Sequence, residues 1–195
     1  DHAADLLLAP TEVARQHLES EGLGSRTRVV GDVMTDVCLR VAKAVEGSPL
    51  RLPEGIDANS PFAVATMHRA DNTDDPNRLK GLISALQNAP LPIALFAHPR
   101  LTARAEEQGL TLAGGNLFVG TPLPYPDLLN AVSRASAVVT DSGGLQKEAY
   151  LLGTPTTTLR TETEWVETLE NQWNVLVKES SDLSAALQRP RPTAE

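Results

Sequence analysis

The chain has 195 residues, 41% of them hydrophobic, which is enough to bury one core of ordinary size. A formal charge of −8 without any basic stripe excludes a general nucleic-acid-binding protein, so a phosphate-bearing partner would be a small nucleotide held at one place. The single cysteine, Cys38, excludes a disulfide framework, no apolar run reaches the roughly 20 residues of a membrane span, and no signal-peptide pattern opens the chain, so we expect a cytoplasmic protein.

The first 47 residues predict a linking segment with two strand–helix units. The apolar segments 4–9 and 27–32 have the length of strands, and each is followed by an amphipathic stretch with helical spacing. Cys38 lies within the apolar pattern of the second helix, which predicts a buried thiol. The polar, proline-bearing residues 48–60 are expected to form a connector and the best place for a hinge.

From Pro61 onwards short apolar runs and helical patterns alternate regularly. Strands are predicted at 62–67, 93–97, 117–119, 137–140 and 156–159, and helices at 77–87, 102–107, 127–132, 145–152 and 163–169. This order is typical of βαβ units, so the sequence predicts an α/β fold with a Rossmann-like parallel sheet and helices on both faces. We expect this domain to span 61–188, followed by a frayed tail at 189–195.

Residues 138–149, Val-Val-Thr-Asp-Ser-Gly-Gly-Leu-Gln-Lys-Glu-Ala, predict a strand, a tight turn and a helix. Ser142 suits the helix N-cap, and Gly143 and Gly144 place no side chain in front of the first amides of the helix. Such a helix start attracts anions, because its unpaired N–H groups and the positive end of its dipole point to one place. Glu148 lies roughly 9 Å further along the axis, where a carboxylate can accept hydrogen bonds from ribose hydroxyls. The pattern therefore favours a nucleoside-diphosphate site over a close-packed corner without a ligand.

A second candidate group follows the first strand of this domain. His68 and Arg69 come directly after the apolar run 62–67, at the sheet edge where parallel sheets bind their ligands. Histidine can hold or donate a proton near neutral pH, and arginine can clamp a phosphate through its planar guanidinium group. His98 follows the next strand, either as a ligand contact or as a strand-end cap. Tyr125 heads a later helix, at a place suited to contact a base.

These motifs resemble those of the non-hydrolysing UDP-N-acetylglucosamine 2-epimerases. Residues 140–149 match the family's T-D-S-G-G signature followed by an aliphatic residue and Q-E-E-A, with Lys147 in place of the first acid. Residues 66–72 match its T-x-H-R-x-E-N block, with Asp71 in place of glutamate. The resemblance covers nearly the whole chain, with its motifs in the family's order.

The resemblance also implies roles for individual residues. It implies a catalytic or substrate-positioning role for His68, and a substrate contact for Asn72 at the end of the same block. In the family, a leucine–arginine pair followed by T-E-W-x-E lies near the sugar nucleotide, and that form begins here at Leu159. The resemblance therefore implies that Arg160 and Glu164 contact the substrate, although a charged stretch of this kind also suits a solvated helix start.

Proteins of this family have two Rossmann-like domains, arranged as in B-type glycosyltransferases, with the substrate in the cleft between them. The chain resembles the carboxyl-terminal domain, so the resemblance implies an absent amino-terminal domain that holds most of the carboxylates acting at sugar C2. It further implies interconversion of UDP-N-acetylglucosamine and UDP-N-acetylmannosamine by elimination and re-addition of UDP, without a cofactor, in a homodimer that serves cell-surface polysaccharide synthesis. The isolated chain is expected to bind UDP without turning it over.

Two other functions stay open at this point. A B-type glycosyltransferase needs the same diphosphate site, and so does a non-catalytic domain that only binds sugar nucleotides. No metal site is predicted, because the four histidines show no paired spacing with cysteines or carboxylates. The predicted partners are a UDP-sugar and the absent domain. Neither nucleic acid nor a membrane is predicted as a partner.

Overall fold

The computed structural model describes residues 1–193. Contacts between residues divide the chain into two compact units, Asp1–Arg40 and Val41–Glu195. The fold class is the predicted one, α/β with parallel strands throughout the two sheets. Within the described residues, no helix has both the length and the apolar character needed to cross a membrane.

The first unit contains a short parallel pair of strands. Its elements are β1 (Leu7–Ala9), α1 (Glu12–Ser20), β2 (Thr27–Val29) and the first part of α2 (Val33–Ala44). Helix α1 begins where the sequence predicts, because the Thr11 hydroxyl accepts a hydrogen bond from the Ala14 amide at 3.1 Å. The thiol of Cys38, in α2, is buried as predicted.

The second unit is built on a six-stranded parallel sheet. Its strands are β3 (Ala63–Thr66), β4 (Ile93–Phe96), β5 (Leu117–Gly120), β6 (Ala137–Thr140), β7 (Thr156–Thr158) and β8 (Asn174–Leu176). They lie in the order β5-β4-β3-β6-β7-β8, so the chain runs from β3 to one edge and then from β6 to the other. The direction of winding therefore reverses between β3 and β6, which makes this the topological switch point of the sheet.

Among residues 1–193, six α-helices belong to this unit, and together they leave neither face of the sheet bare. They are α3 (Ala70–Thr73), α4 (Pro76–Gln87), α5 (Pro99–Glu107), α6 (Tyr125–Arg134), α7 (Gly143–Leu151) and α8 (Leu183–Gln188). Successive residues of β3 point to opposite faces. Ala63 therefore packs in the core formed with α4, α5 and α8, and Val64 in the core formed with α6 and α7. Both faces of the sheet are therefore buried, as the alternation of strands and helices along the sequence predicts.

The predicted α-helix at 163–169 is wrong. The structure has 3-10 turns at Val166–Gln172, with non-helical backbone near their end. The Thr163 hydroxyl accepts a hydrogen bond from the Trp165 amide at 3.1 Å, which holds the preceding residues in a turn. Residues 160–165 therefore form a loop, which we call the 160–165 loop.

The predicted frayed tail is also corrected at its start. The Arg189 guanidinium donates hydrogen bonds to the Thr157 hydroxyl at 3.0 Å and to the Thr156 carbonyl at 2.8 Å, so it ties the chain to β7. Residues 194–195 of that tail lie outside the described residues. The predicted connector, 48–60, lies inside the second unit, where the Asn130 amide donates to the Pro49 carbonyl at 3.1 Å. Its role as a hinge stays a prediction.

Candidate functional site

The predicted site residues follow the two strands that flank the switch point. In the β3–β6 pair, Thr66 lies opposite Thr140, and their hydroxyl oxygens are 2.7 Å apart. His68 follows β3 and Ser142 follows β6, so the register of two parallel strands brings both residues to one edge of the sheet. This edge is where ligands bind in open α/β sheets.

The start of α7 offers two unused amides. Ser142 is the N-cap, and its hydroxyl accepts a hydrogen bond from the Leu145 amide at 3.5 Å. The Ser142 amide itself donates to the Thr140 hydroxyl at 3.0 Å, so it is already engaged. In the part of the chain that the structure describes, no hydrogen bond engages the amides of Gly143 and Gly144. These two N–H groups, together with the helix dipole, are available to an anion.

Gly143 also allows the 160–165 loop to approach this helix start. A Cβ at this position would collide with the Glu164 carboxylate, so any larger residue here would require Glu164 to move. The Arg160 guanidinium pairs with the same carboxylate at 2.6 Å. Burial opposes the ionisation of Glu164, but hydrogen bonds from its own backbone amide and from Arg160 prevail and lower the pKa of its carboxyl. An ionised Glu164 therefore stands beside the start of α7.

A cavity of about 360 Å³, the first cavity, opens at this edge of the sheet. Its polar lining residues are Thr66, His68, His98, Tyr125, Ser142 and Glu148, and its apolar side chains come from Phe96, Pro122, Leu123, Leu128 and Leu145. Gly144 completes the lining. An apolar wall with a few polar groups is typical of a small-molecule site, and these dimensions suit part of a nucleotide.

Tyr125 and Glu148 form a polar pair in the first cavity. The Tyr125 hydroxyl donates a hydrogen bond to Glu148 Oε1 at 2.8 Å. Glu148 is only 8% exposed, and burial raises the pKa of its carboxyl, although the hydrogen bond from Tyr125 acts in the opposite direction. A carboxylate has about four acceptor positions, so Glu148 can accept further hydrogen bonds from the two hydroxyls of a ribose.

His98 is a helix cap that also lines the first cavity, and its ligand contact stays a prediction. Its Nδ1 accepts a hydrogen bond from the Arg100 amide at 3.1 Å, so the residue caps α5, and this bond assigns the ring proton to Nε2. The same ring lines the first cavity, with its centroid 5.4 Å from that of the His68 ring. His98 can therefore offer an N–H donor to a bound anion.

A second cavity, of about 440 Å³, is lined by three further predicted site residues, Arg69, Asn72 and Arg160. Asn72 is 1% exposed, and its amide donates to Asp141 and to the Leu159 carbonyl, both at 3.0 Å. The Asn72 Oδ1 accepts a hydrogen bond from the Arg78 Nε at 2.9 Å, so both the NH₂ group and the oxygen of this side chain bond to other protein groups. A substrate contact of Asn72 stays a prediction. By contrast, no hydrogen bond of the Arg69 guanidinium is found within residues 1–193, although its charge contributes to lowering the pKa of Glu164.

Three residues of the signature, Gln146, Lys147 and Asp141, contact other parts of the protein, although no role was predicted for them. The Gln146 side-chain carbonyl accepts a hydrogen bond from the Thr163 hydroxyl at 2.7 Å. The Lys147 ammonium lies 4.1 Å from the centroid of the Trp165 ring, a cation–π contact. Both contacts hold the 160–165 loop on α7. The third residue, Asp141, is buried and accepts a hydrogen bond from the His68 amide, and its position directly after a strand is the sequence signal by which it could be found.

The structure thus distributes the predicted residues over neighbouring places. The first cavity gathers His68, His98, Tyr125, Ser142, Gly144 and Glu148, and the second gathers Arg69, Asn72 and Arg160, while Gly143 and Glu164 meet each other. Among residues 1–193, no group of three or more histidine, cysteine, aspartate and glutamate side chains has the arrangement of a metal site. Substrate contacts for all of these residues stay predictions.

Comparisons with known proteins show which proteins the chain is similar to. A UDP-2,3-diacetamido-2,3-dideoxy-D-glucuronate 2-epimerase from Pseudomonas aeruginosa is 38% identical over 189 residues, which cover 94% of the chain and 51% of that protein. A UDP-N-acetylglucosamine 2-epimerase from Methanocaldococcus jannaschii is 31% identical over 192 residues, which cover 93% of the chain and 52% of that protein. A crystal structure of the M. jannaschii UDP-GlcNAc 2-epimerase in complex with UDP-GlcNAc and UDP is similar with a TM-score of 0.84 and 32% identity, over 98% of the chain and 56% of that structure.

The chain therefore spans about half the length of the curated relatives it matches. The sequence model that describes the UDP-N-acetylglucosamine 2-epimerases matches residues 1–192, nearly the whole chain. The match includes both the turn at the start of α7 and the block that follows β3. The chain belongs to the UDP-N-acetylglucosamine 2-epimerase family.

Proposed function

We propose that the chain is the UDP-binding half of a 2-epimerase that interconverts UDP-N-acetylglucosamine and UDP-N-acetylmannosamine. The observation that carries this proposal is the first cavity, which is lined both by Ser142 and Gly144 at the start of α7 and by the Tyr125–Glu148 pair. Amides at a helix start suit a diphosphate, and a buried carboxylate suits the two hydroxyls of a ribose. Membership of the epimerase family supports the same assignment.

The site residues follow one another in the order in which the parts of a UDP-sugar are joined. Glu148 accepts the ribose hydroxyls, and the amides of Gly143 and Gly144 bind the diphosphate. Next to Gly143 lie Glu164 and its partner Arg160, which also lines the second cavity. The sugar therefore lies at the side of the diphosphate that faces this pair.

The proposed reaction requires cleavage of the bond between the anomeric carbon and the diphosphate. A base removes the proton at C2, the C–H electrons form a C1–C2 double bond, and UDP leaves with the electrons of the C1–O bond, giving 2-acetamidoglucal. Negative charge develops on the leaving diphosphate, where the start of α7 and the Arg69 guanidinium stabilise it and hold UDP. Re-addition of UDP at C1, with protonation of C2 on the other face, gives the epimer.

The first unit supports the proposal that an amino-terminal domain completes the site. Eight of the eleven exposed large hydrophobic side chains among residues 1–193 lie in this unit: Leu6, Leu8, Val29, Val30, Val33, Met34, Val37 and Leu39. A two-stranded sheet is marginally stable by itself, and parallel sheets usually have both faces covered. A further domain would cover these side chains and supply the carboxylates that act at sugar C2.

Deuterium exchange tests the proposal. The 195-residue chain, given UDP-N-acetylglucosamine in heavy water, is expected to bind UDP by calorimetry but to incorporate no deuterium at C2 by NMR, because the two-domain cleft is incomplete. The protein with its amino-terminal domain is expected to incorporate deuterium and to form UDP-N-acetylmannosamine. Transfer of the sugar to an added acceptor would instead indicate a B-type glycosyltransferase. If the full-length protein bound UDP without any turnover, this would indicate a non-catalytic domain.

His68 is the proposed proton-handling residue of this half. In the full-length protein, His68→Asn is expected to lower kcat by about 10²-fold or more, the usual range for a general acid or base, with little change in UDP affinity. The exposed His17 of α1 provides the matched control, since His17→Asn should leave kcat unchanged. Normal turnover by the His68→Asn protein would show that the assignment is wrong.

A second candidate substrate is a UDP-sugar whose ring carries its own carboxylate. The relative named for such a substrate is 38% identical to the chain, against 31% for the M. jannaschii UDP-N-acetylglucosamine 2-epimerase. Three arginines that line the second cavity are partly buried residues, whereas the three acidic residues that line it are exposed: Arg69, Arg78 and Arg160 against Asp71, Glu162 and Glu179. Partly desolvated guanidinium groups bind carboxylates well, through two parallel hydrogen bonds.

Calorimetry distinguishes the two candidate substrates. If the sugar carboxylate binds in the second cavity, the UDP-2,3-diacetamido-2,3-dideoxyglucuronate should bind roughly tenfold or more tightly than UDP-N-acetylglucosamine, the effect of one charge-assisted hydrogen bond. The exposed Lys178, which lines the same cavity, offers a mild test: Lys178→Gln should reduce this preference and leave UDP affinity unchanged. Equal affinities would favour UDP-N-acetylglucosamine.

A further inference from the structure

Asp141 is a buried side chain that connects the segment after β3 to the turn after β6. Its side chain is 0% exposed, and it lies between β6 and the Ser142 turn at the start of α7. The His68 amide donates to its two oxygens, at 3.1 and 3.0 Å, and the Arg69 amide donates to Oδ2 at 2.9 Å. The Asn72 amide donates to the same Oδ2 at 3.0 Å. One side chain therefore holds the backbone after β3 against the turn after β6.

The same carboxylate also lies beside the His68 ring. Asp141 Oδ1 is 3.3 Å from His68 Nδ1, while the His68 side chain is 40% exposed and lines the first cavity. A carboxylate accepts hydrogen bonds and cannot donate them when ionised, so it favours a proton on the ring nitrogen that faces it. With the proton on Nδ1, the other nitrogen, Nε2, has a lone pair that can accept a proton.

We propose that Asp141 is a positioning residue, which holds the His68 ring with its proton on Nδ1 and leaves Nε2 as the proton acceptor of the site. The use of Nε2 in turnover rests on the proposed epimerase function. The position of the ring proton is a property of the chain alone, so it can be tested whether or not the protein is an epimerase.

An asparagine at this position would not serve the same purpose. Three N–H groups already converge on the carboxylate, and the His68 ring nitrogen is a fourth neighbour. An asparagine side chain offers one acceptor oxygen and an NH₂ group, which would face these donors with a further donor. Asp141→Asn has the same size, so it removes the charge and half of the acceptors while it fills the same space.

NMR of the 195-residue chain with ¹⁵N-labelled histidine tests the proposal directly. The ring nitrogen shifts of His68, assigned with the His68→Asn protein, are expected to show the proton on Nδ1 in the wild type. In Asp141→Asn this preference should be lost. Asp74→Asn provides the matched control, because it removes an exposed carboxylate that pairs with Arg100 and leaves the His68 ring alone. A wild-type ring with its proton on Nε2 would overturn the proposal, even if the Asp141→Asn protein did not fold.

A double-mutant cycle in the full-length protein tests the role in turnover. Asp141→Asn alone is expected to lower kcat by about 10²-fold with KM little changed, as for the loss of a positioned acid–base group. In the His68→Asn background, the same change should lower kcat much less than in the wild type, because the part of its effect that passes through the His68 ring is already lost. Independent losses in the double mutant would show that Asp141 acts otherwise. A wild-type protein with the predicted ring proton but no epimerase activity would contradict the proposed function and leave the ring assignment intact.

Discussion

Replacing Glu148 with alanine is expected to weaken UDP binding without loss of the fold. Glu148 is 8% exposed, so its hydrogen bonds to a ribose form largely out of contact with water. A hydrogen bond to a charged group contributes about 1.5–3 kcal/mol, and the second ribose hydroxyl shares the same carboxylate. We therefore expect the UDP dissociation constant of Glu148→Ala to rise roughly 10- to 150-fold.

The assay compares two ligands that differ only in the ribose hydroxyls. Calorimetry with UDP should show the full loss in Glu148→Ala, whereas 2′,3′-dideoxy-UDP should bind the wild type and the variant with the same low affinity. Tyr125→Phe is the matched control, because it removes the hydroxyl that donates to Glu148 Oε1 at 2.8 Å but leaves the carboxylate in place. Tyr125→Phe should raise the UDP dissociation constant by less than about tenfold, the range for loss of one neutral hydrogen-bond donor, and so by less than Glu148→Ala does.

Equal weakening of UDP and dideoxy-UDP binding in Glu148→Ala would refute the reasoning. In that case Glu148 would shape the first cavity without contacting the ribose. Urea denaturation of both proteins excludes the simpler explanation that the variant is partly unfolded.

Three further predictions follow from the same geometry. Gly143→Ala should weaken UDP binding and leave uridine binding similar, because the added methyl group displaces Glu164 beside the diphosphate amides; unchanged UDP affinity by calorimetry in a folded variant would contradict this placement. Burial raises the pKa of the Glu148 carboxyl above its ordinary value of 4.5 in the folded protein. The protonated carboxyl therefore stabilises the fold at pH values below 4.5, and this contribution is lost as the pH rises through the raised pKa. The ionised carboxylate binds the ribose, so wild-type UDP affinity should fall as the pH drops through the raised pKa, and the difference from Glu148→Gln should vanish there. Arg189→Ala should lower the free energy of unfolding in urea by about 1.5–3 kcal/mol, the loss of hydrogen bonds made by a charged group, and Arg191→Ala, which loses a single bond to Gly153, should lower it less.

The sequence by itself determined the fold class and the sheet edge at which the candidate site residues lie. Strand and helix periods depend on residues that are neighbours along the chain, so the alternation from Pro61 onwards predicts a parallel sheet without knowledge of any distant contact. The start of α7 is also a local property, because Ser142 and the two glycines after it are sufficient for an N-cap and an open helix start. The carboxyl ends of parallel strands meet at one edge, which placed His68 beside this turn.

Only the tertiary structure decided which candidate side chains keep polar groups unpaired and which bond within the protein. Asn72 belongs to the same sequence block as His68, yet it turns inward, because Asp141, Arg78 and the Leu159 carbonyl surround it. Sequence periodicity also predicted a helix at 163–169, which overlaps the end of the 160–165 loop, since the contacts that hold this loop come from α7 rather than from its own neighbours.

Asp141 shows the physical reason for this difference. It contacts His68 across a separation of 73 residues, and that contact exists only because β3 and β6 are adjacent in parallel register. A local pattern reports how a segment folds, but it carries no information on the strand that will lie beside it. The register of that pairing therefore decides whether an acid after a strand is exposed to solvent or holds the histidine of the site.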